Sequence, residues 1–130
     1  MKKILVADVP QMDARYSAAL GGWDIGFVRT MGEVRQALAA ARYDLVAIGV
    51  YFDDSQMFDL VRALRADRVH GKVRIICVRG RPGFATVTSR TLAATVKALG
   101  ADEFVDLLDS GDDEAADAAL RAAVERLVTP

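Results

Sequence analysis

Polar side chains that could do chemistry follow short apolar runs at several points of this 130-residue sequence. Asp8 follows the first run, Asp53 and Asp54 lie shortly after a later one, and Arg79 and Arg81 stand in a glycine-rich stretch after another. Carboxylates bind hard divalent cations and can accept a phosphoryl group, and arginine can hold an anion through two parallel hydrogen bonds. These residue types therefore direct attention to phosphate or anion chemistry.

The single histidine and the single cysteine add little to this chemistry. His70 lies near a predicted helix end, where we expect it to be solvated, and a lone histidine excludes a histidine-based metal cluster. Cys77 lies inside an apolar run and is predicted to be an inert core residue. The absence of an internal disulfide suits a reducing, cytoplasmic compartment. No motif implies a cofactor, and neither a metal site nor catalysis is predicted.

The chemistry-bearing residues are predicted to be positioned by alternating strands and helices. Five β-rich runs are predicted as strands, namely Lys3–Ala7, Ile25–Arg29, Leu45–Val50, Val73–Val78 and Glu103–Asp106. Apolar residues spaced three or four apart follow each run, which indicates five helices, the last ending at Val128. Pro10 is predicted to start the first helix and Gly100 to end the fourth. The pattern predicts a flavodoxin-like (CheY-like) three-layer α/β fold with a parallel sheet of order 2-1-3-4-5.

This topology predicts where the polar residues meet. Ligands of open parallel sheets bind beyond the carboxyl ends of the strands, near the point where the strand order reverses. The residues expected there are Asp8 and Val9, the segment 49–54, the segment 79–83 and the segment 106–108. The sequence therefore predicts one crevice in which side chains from distant parts of the chain converge.

Composition limits the classes of function. With 52% hydrophobic and 27% charged residues, the chain is typical of a globular protein, and its length fits one domain, residues 1–130, without an output domain. A net charge of −1 gives no broad attraction to nucleic acid or to an anionic membrane. No apolar run approaches the ~20 residues of a membrane span.

Several motifs resemble the receiver domains of response regulators. The opening Met1–Asp8 resembles the first strand of that family, and Tyr43–Gly49 with Phe58–Leu64 resembles its third strand and the following helix. Gly100–Phe104 resembles the entry to its fifth strand. The resemblance covers nearly the whole chain. It implies the receiver fold, a role in two-component or phosphorelay signalling, and functional residues at the strand ends.

The residues that the family uses for phosphotransfer are mostly replaced in this sequence. The resemblance places Asp8 at the first of two metal-binding acids and Val9 at the second. It places Gly49 at the phosphorylated aspartate, Arg79 at the hydroxyl residue and Leu107 at the lysine. Glycine has no side chain to phosphorylate, and leucine cannot stabilise charge. Of the five chemical groups, one is retained, so the resemblance implies a degenerate pseudo-receiver.

Alternatives remain open for three sets of polar residues at the strand ends. Asp8 either caps the first helix and accepts backbone hydrogen bonds or forms a buried ion pair with Arg79. Arg79 and Arg81 belong to a surface loop, a docking element for a partner, or a site for a small anionic, nucleotide-like ligand. Asp53 and Asp54 form a solvated turn in which Asp54 or Ser55 caps the next helix, or one of the two aspartates is a displaced phosphoacceptor or metal ligand.

The leading hypothesis is a non-enzymatic signalling or adaptor module that binds a partner protein without being phosphorylated. The resemblance implies binding through two parts of the chain. One is the strand-four loop, residues 79–83, and the other is the face formed by the fourth helix, fifth strand and fifth helix. That face spans roughly Phe84–Leu99, Glu103–Asp106 and Asp112–Val128. A homodimer through the same face is also implied, whereas no nucleic-acid or membrane partner is predicted.

Overall fold

One parallel sheet organises the molecule in the computed structural model, which describes residues 1–80 and 87–129. Its strand order is β2-β1-β3-β4-β5, as predicted from the sequence. The strands are β1 (Lys3–Ala7), β2 (Asp24–Val28), β3 (Leu45–Gly49), β4 (Arg74–Arg79) and β5 (Glu103–Asp106). β2 and β4 are each displaced by one residue from their predicted bounds, and β3 ends one residue earlier.

Six helical segments accompany these strands in the described parts of the chain. They are α1 (Asp13–Ala19), α2 (Met31–Ala40), α3 (Phe52–Ser55), α4 (Met57–Ala66), α5 (Ser89–Leu99) and α6 (Asp113–Val128). Short 3-10 turns precede α1 at Pro10–Met12 and follow β5 at Leu107–Asp109. The prediction of five helices missed α3, a single four-residue turn. The fourth and fifth predicted helices correspond to α5 and α6.

Two apolar layers cover the two faces of the sheet. Alternate residues of a strand point to opposite faces, so Ile4 and Val6 pack with α1 and α6, whereas Leu5 and Ala7 pack with α2, α4 and α5. Every residue of β3 is buried, whereas β2 and β5 at the edges are only partly buried. The apolar sequence of β3 is thus explained by its central position.

Capping residues fix the helix ends. Thr30 and Glu33 form a reciprocal capping box at the start of α2, and the Asp112 carboxylate accepts the Ala115 N–H at the start of α6. Gly100 ends α5 at a φ of +116°, a left-handed conformation that favours glycine. Pro10 begins the first helical turn, as predicted.

The strand register determines which polar residues become neighbours. Ala7 pairs with Ile48, so that the next residues, Asp8 and Gly49, lie side by side at the ends of β1 and β3. Arg79 pairs directly with Asp106 across β4 and β5. Within the described residues, no helix is both long and apolar enough to span a membrane.

Candidate functional site

The Asp8 side chain occupies the space beside Gly49 at the strand-end crevice. A Cβ atom built on Gly49 would lie 2.0 Å from the Asp8 carboxyl carbon and 2.1 Å from both carboxyl oxygens. These separations are far below a van der Waals contact. The position at which the receiver resemblance places the phosphorylated side chain is therefore filled by a carboxyl group from the neighbouring strand.

Hydrogen bonds hold the Asp8 carboxyl in this position. The buried Tyr16 hydroxyl of α1 donates to Asp8 Oδ2 at 2.7 Å, and the Val9 N–H donates to Asp8 Oδ1 at 2.7 Å. Burial raises the pKa of the Asp8 carboxyl above its ordinary value, although the two hydrogen bonds oppose the shift. Asp8 is only 3% exposed, so its carboxyl is a poorly accessible nucleophile.

Arg79 forms a buried ion pair with Asp106. Its Nε donates to Asp106 Oδ2 at 2.9 Å, its Nη2 donates to the same oxygen, and its Nη1 donates to the Val87 carbonyl at 2.6 Å. The Arg79 and Asp106 side chains are 8% and 4% exposed. Burial alone would raise the pKa of the Asp106 carboxyl, but the hydrogen bonds from Arg79 and Ser89 hold that pKa below its ordinary value.

Ser89 joins this ion pair to the start of α5. Its Oγ lies 2.5 Å from Asp106 Oδ2 and 2.6 Å from Asp109 Oδ2. A serine hydroxyl carries one proton and can donate to only one of the two carboxylates at a time. The ends of β4 and β5 and the beginning of α5 are thus connected by one polar network.

The hypothesis of an ion pair between Asp8 and Arg79 is wrong. Both residues lie among those described, yet no ion pair joins them, because Arg79 turns to its register neighbour Asp106 and Asp8 turns to Tyr16. Asp8 accepts a backbone hydrogen bond but does not cap α1, whose N-cap residue Met12 makes no side-chain cap. The burial expected for both charged groups is nevertheless present.

Apolar side chains occupy the neighbouring part of the crevice. Leu107, at the position that the resemblance assigns to a lysine, is buried in the core layer of α1 and α6. A Cβ atom on Gly80 would lie 2.2 Å from the Met12 methyl carbon and 3.5 Å from a Leu107 methyl carbon. Val9, at the second acid position, packs against the same layer. No positive side chain therefore comes from the position after β5.

Asp53 and Asp54 form an unusual turn rather than a helix cap. Asp53, Asp54 and Ser55 have φ angles of +44°, +57° and +63°. The N-cap of α4 is Gln56, so the predicted cap at Asp54 or Ser55 is wrong. Asp53 Oδ2 accepts the Met31 N–H at 2.9 Å, at the first turn of α2. Asp53 therefore binds the first backbone N–H of α2, at the beginning of that helix, whereas Asp54 is exposed.

One of the two arginines of the predicted anion site, Arg79, is buried and already engaged in hydrogen bonds within the protein. The Arg79 guanidinium is engaged by Asp106 and Val87, and Arg81 lies outside the described residues. In the parts of the chain that the structure describes, no group of three or more metal-ligating side chains is present.

Sequence reasoning missed two contributors to this site. Tyr16 lies at an apolar position of the helical spacing after β1, and that spacing does not show that its hydroxyl donates to Asp8. Ser89 belongs to no catalytic motif in the sequence. Its position at the first residue of α5 depends on where that helix begins, which the sequence left open.

Comparisons with known proteins agree on the fold. No protein-family model matches the sequence, and no curated protein matches it. Among solved structures, a response regulator from Hahella chejuensis aligns with 99% of this chain and 96% of its own, with a TM-score of 0.79 and 20% identity.

Two further solved structures share the same architecture. The signal receiver domain of a signal transduction histidine kinase from Syntrophus aciditrophicus aligns with 99% of this chain and 91% of its own, with a TM-score of 0.75 and 20% identity. A response regulator from Thermotoga maritima covers 100% and 99% of the two chains, with a TM-score of 0.76 and 14% identity. The chain therefore has the CheY-like fold of receiver domains.

Proposed function

We propose that this chain is a receiver-like, non-enzymatic signalling module of a two-component or phosphorelay pathway that acts by protein binding without being phosphorylated. The observation that carries the proposal is the Asp8 carboxyl beside Gly49, where a phosphoacceptor side chain has no room. The retained fold supports a signalling role, because receiver domains and response regulators share it.

The chemistry at the strand ends supports independence from phosphorylation. Phosphoryl transfer needs cations that neutralise the charge of the transferred group. Leu107 supplies none, and the positive charge of Arg79 is already balanced by Asp106. The Asp8 carboxyl fills the acceptor position, and Arg79 is paired with Asp106. Both features favour a single conformation of the crevice.

The partner surface in this proposal is the face formed by α5, β5 and α6, with the strand-four loop beside it. An ion pair on this face joins Arg126 of α6 to Glu103 at the start of β5. The Ser89 network fixes the start of α5 against the end of β5. In this proposal a partner protein or a second copy of the chain binds in the cytoplasm, and it would meet these contacts already formed on the described part of the face.

Intact-mass measurement after incubation with acetyl phosphate and Mg²⁺ tests the proposal. An active receiver domain serves as the positive control, and Gly49→Asp tests whether restoring one carboxylate is sufficient. We expect neither the wild-type chain nor this variant to gain a phosphoryl group. A base-labile adduct on the wild type would overturn the proposal, and peptide mapping would then identify Asp8, Asp53 or Asp54 as the acceptor.

A further inference from the structure

A groove lies at the amino ends of β3 and β4, so it is at the opposite end of the strands from the crevice. It has a volume of about 630 Å³ and lies between the end of α2, the connection into β3 and the connection into β4. This volume lies within the roughly 300–1,000 Å³ that small-molecule sites occupy. Because the groove is far from the carboxyl ends of the strands, ligand binding there does not depend on whether the chain is phosphorylated.

Cationic side chains from separate segments line this groove. Arg42 follows α2, whereas Lys72 and Arg74 come from the start of β4, and all three are exposed. Neither Arg42 nor Lys72 makes an ion pair within the described residues, and Arg74 approaches Asp102 only at 3.6 Å. Two positive charges are thus left unpaired in one concave surface.

Among the described residues that line the groove, the one acid is already engaged. Asp44 Oδ2 accepts the Lys3 N–H at 2.8 Å, which ties that carboxylate to the beginning of β1. Asp102, the distant partner of Arg74, also accepts hydrogen bonds from Arg65 and the Ile75 N–H. The groove therefore has an excess of positive charge although the whole chain carries a net charge of −1.

The remaining walls fit an organic ligand better than an inorganic anion. The last carbonyls of a helix have no donor within that helix. At the end of α2, the Ala41 N–H donates to the Ala37 carbonyl. The carbonyls after Ala37 can accept hydrogen bonds from hydroxyl or amino groups of a ligand. Val69, which lines the same groove, is 82% exposed and offers an apolar surface.

We propose that this groove binds a nucleotide-sized organic phosphate. The phosphates pair with Arg42 and Lys72, and the remainder of the ligand contacts Val69 and the carbonyl end of α2. Charge-assisted hydrogen bonds from arginine and lysine to phosphate are short and strong, so these two side chains anchor the phosphates, and the contacts of the remainder of the ligand add further affinity. The inference does not depend on which protein binds the α5, β5 and α6 face.

Calorimetric titration of the full chain with metal-free ATP and with tripolyphosphate tests this inference. The groove variant is Arg42→Gln with Lys72→Gln. The matched control is Arg35→Gln with Lys97→Gln, which removes two exposed positive charges elsewhere. Thermal melts verify that both variants fold. We expect saturable ATP binding that weakens at least about tenfold in the groove variant and less than about twofold in the control.

Three results would overturn the inference. The first is the absence of saturable ATP binding to the wild-type chain at millimolar concentration. The second is an equal loss of affinity in both double variants, which would indicate diffuse attraction to the whole surface. The third is tripolyphosphate binding as tightly as ATP, because the Val69 surface and the α2 carbonyls would then contribute nothing.

Discussion

At the scale of single residues, Asp8 and Gly49 depend on one another. The Asp8 carboxyl keeps its hydrogen bonds to Tyr16 and Val9 only because position 49 carries no side chain. Glycine is usually explained by backbone freedom, but Gly49 is needed here for space, since its φ is not in the left-handed region. The pair therefore behaves as one structural unit drawn from two strands.

Adding one methyl group at this position should destabilise the fold. We expect Gly49→Ala to lower the free energy of unfolding by about 1–3 kcal/mol, because its Cβ overlaps the buried Asp8 carboxyl. Gly32→Ala is the matched control, since its nearest neighbour would be 3.8 Å away within α2, where alanine is favoured. Urea denaturation of both variants measures the difference, and equal stabilities would contradict the overlap.

The raised pKa of Asp8 predicts a pH dependence of stability. A carboxyl whose native pKa exceeds its unfolded value of 3.8 stabilises the fold fully below that value. This contribution is lost as the pH rises through the native pKa. The stability of Asp8→Asn relative to the wild type should therefore increase from about pH 4 upward and then level off. A constant offset in urea denaturation across the pH series would refute this interpretation.

At the scale of elements, the polar network connects the ends of β4 and β5 to the beginning of α5. Arg79 reaches across the sheet to Asp106, and Ser89 attaches the helix to the same carboxylate. The neighbouring α3 turn is strained instead, because left-handed conformations cost about 1–2 kcal/mol for most L-residues, although aspartate tolerates them better. Tertiary contacts such as that of Asp53 with the α2 backbone compensate for this cost.

Removal of one member of the ion pair tests the contribution of this network. Arg79→Met should lower the free energy of unfolding by about 3 kcal/mol and the melting temperature by about 10 °C, because Asp106 keeps a buried, uncompensated charge. Arg62→Met is the exposed control, since its ion pair with Asp59 is 56% exposed on both sides and should contribute under about 1 kcal/mol.

A double variant separates loss of the ion pair from loss of packing. Arg79→Met with Asp106→Leu removes both charges, so much of the stability lost in Arg79→Met should return. Calorimetric melts of the three variants and the wild type complete the comparison. A double variant less stable than Arg79→Met would show that the stranded charge is not the cause.

At the scale of the whole molecule, the sequence predicted the architecture much better than the site. Long apolar runs identified β3 and β4 as central strands, and the alternation with helices left few topologies. The site depends on partner choice between side chains. Arg79 and Asp106 lie 27 residues apart in the sequence, and they face each other in the observed register of β4 against β5. A shift of β4 by one residue would separate them. Periodicity does not determine such a shift.

Gly49 also has a consequence for the evolution of the chain. Two of the four glycine codons become aspartate codons by a single base change, so an aspartate at position 49 is at most two base changes away. In the present background that mutation would place a side chain against the Asp8 carboxyl and make the protein less stable. A change at position 8 would have to come first, and it would leave the Tyr16 hydroxyl without its acceptor. An aspartate at position 49 therefore becomes compatible with this fold only after a change at position 8, so the order in which the two substitutions can occur is constrained.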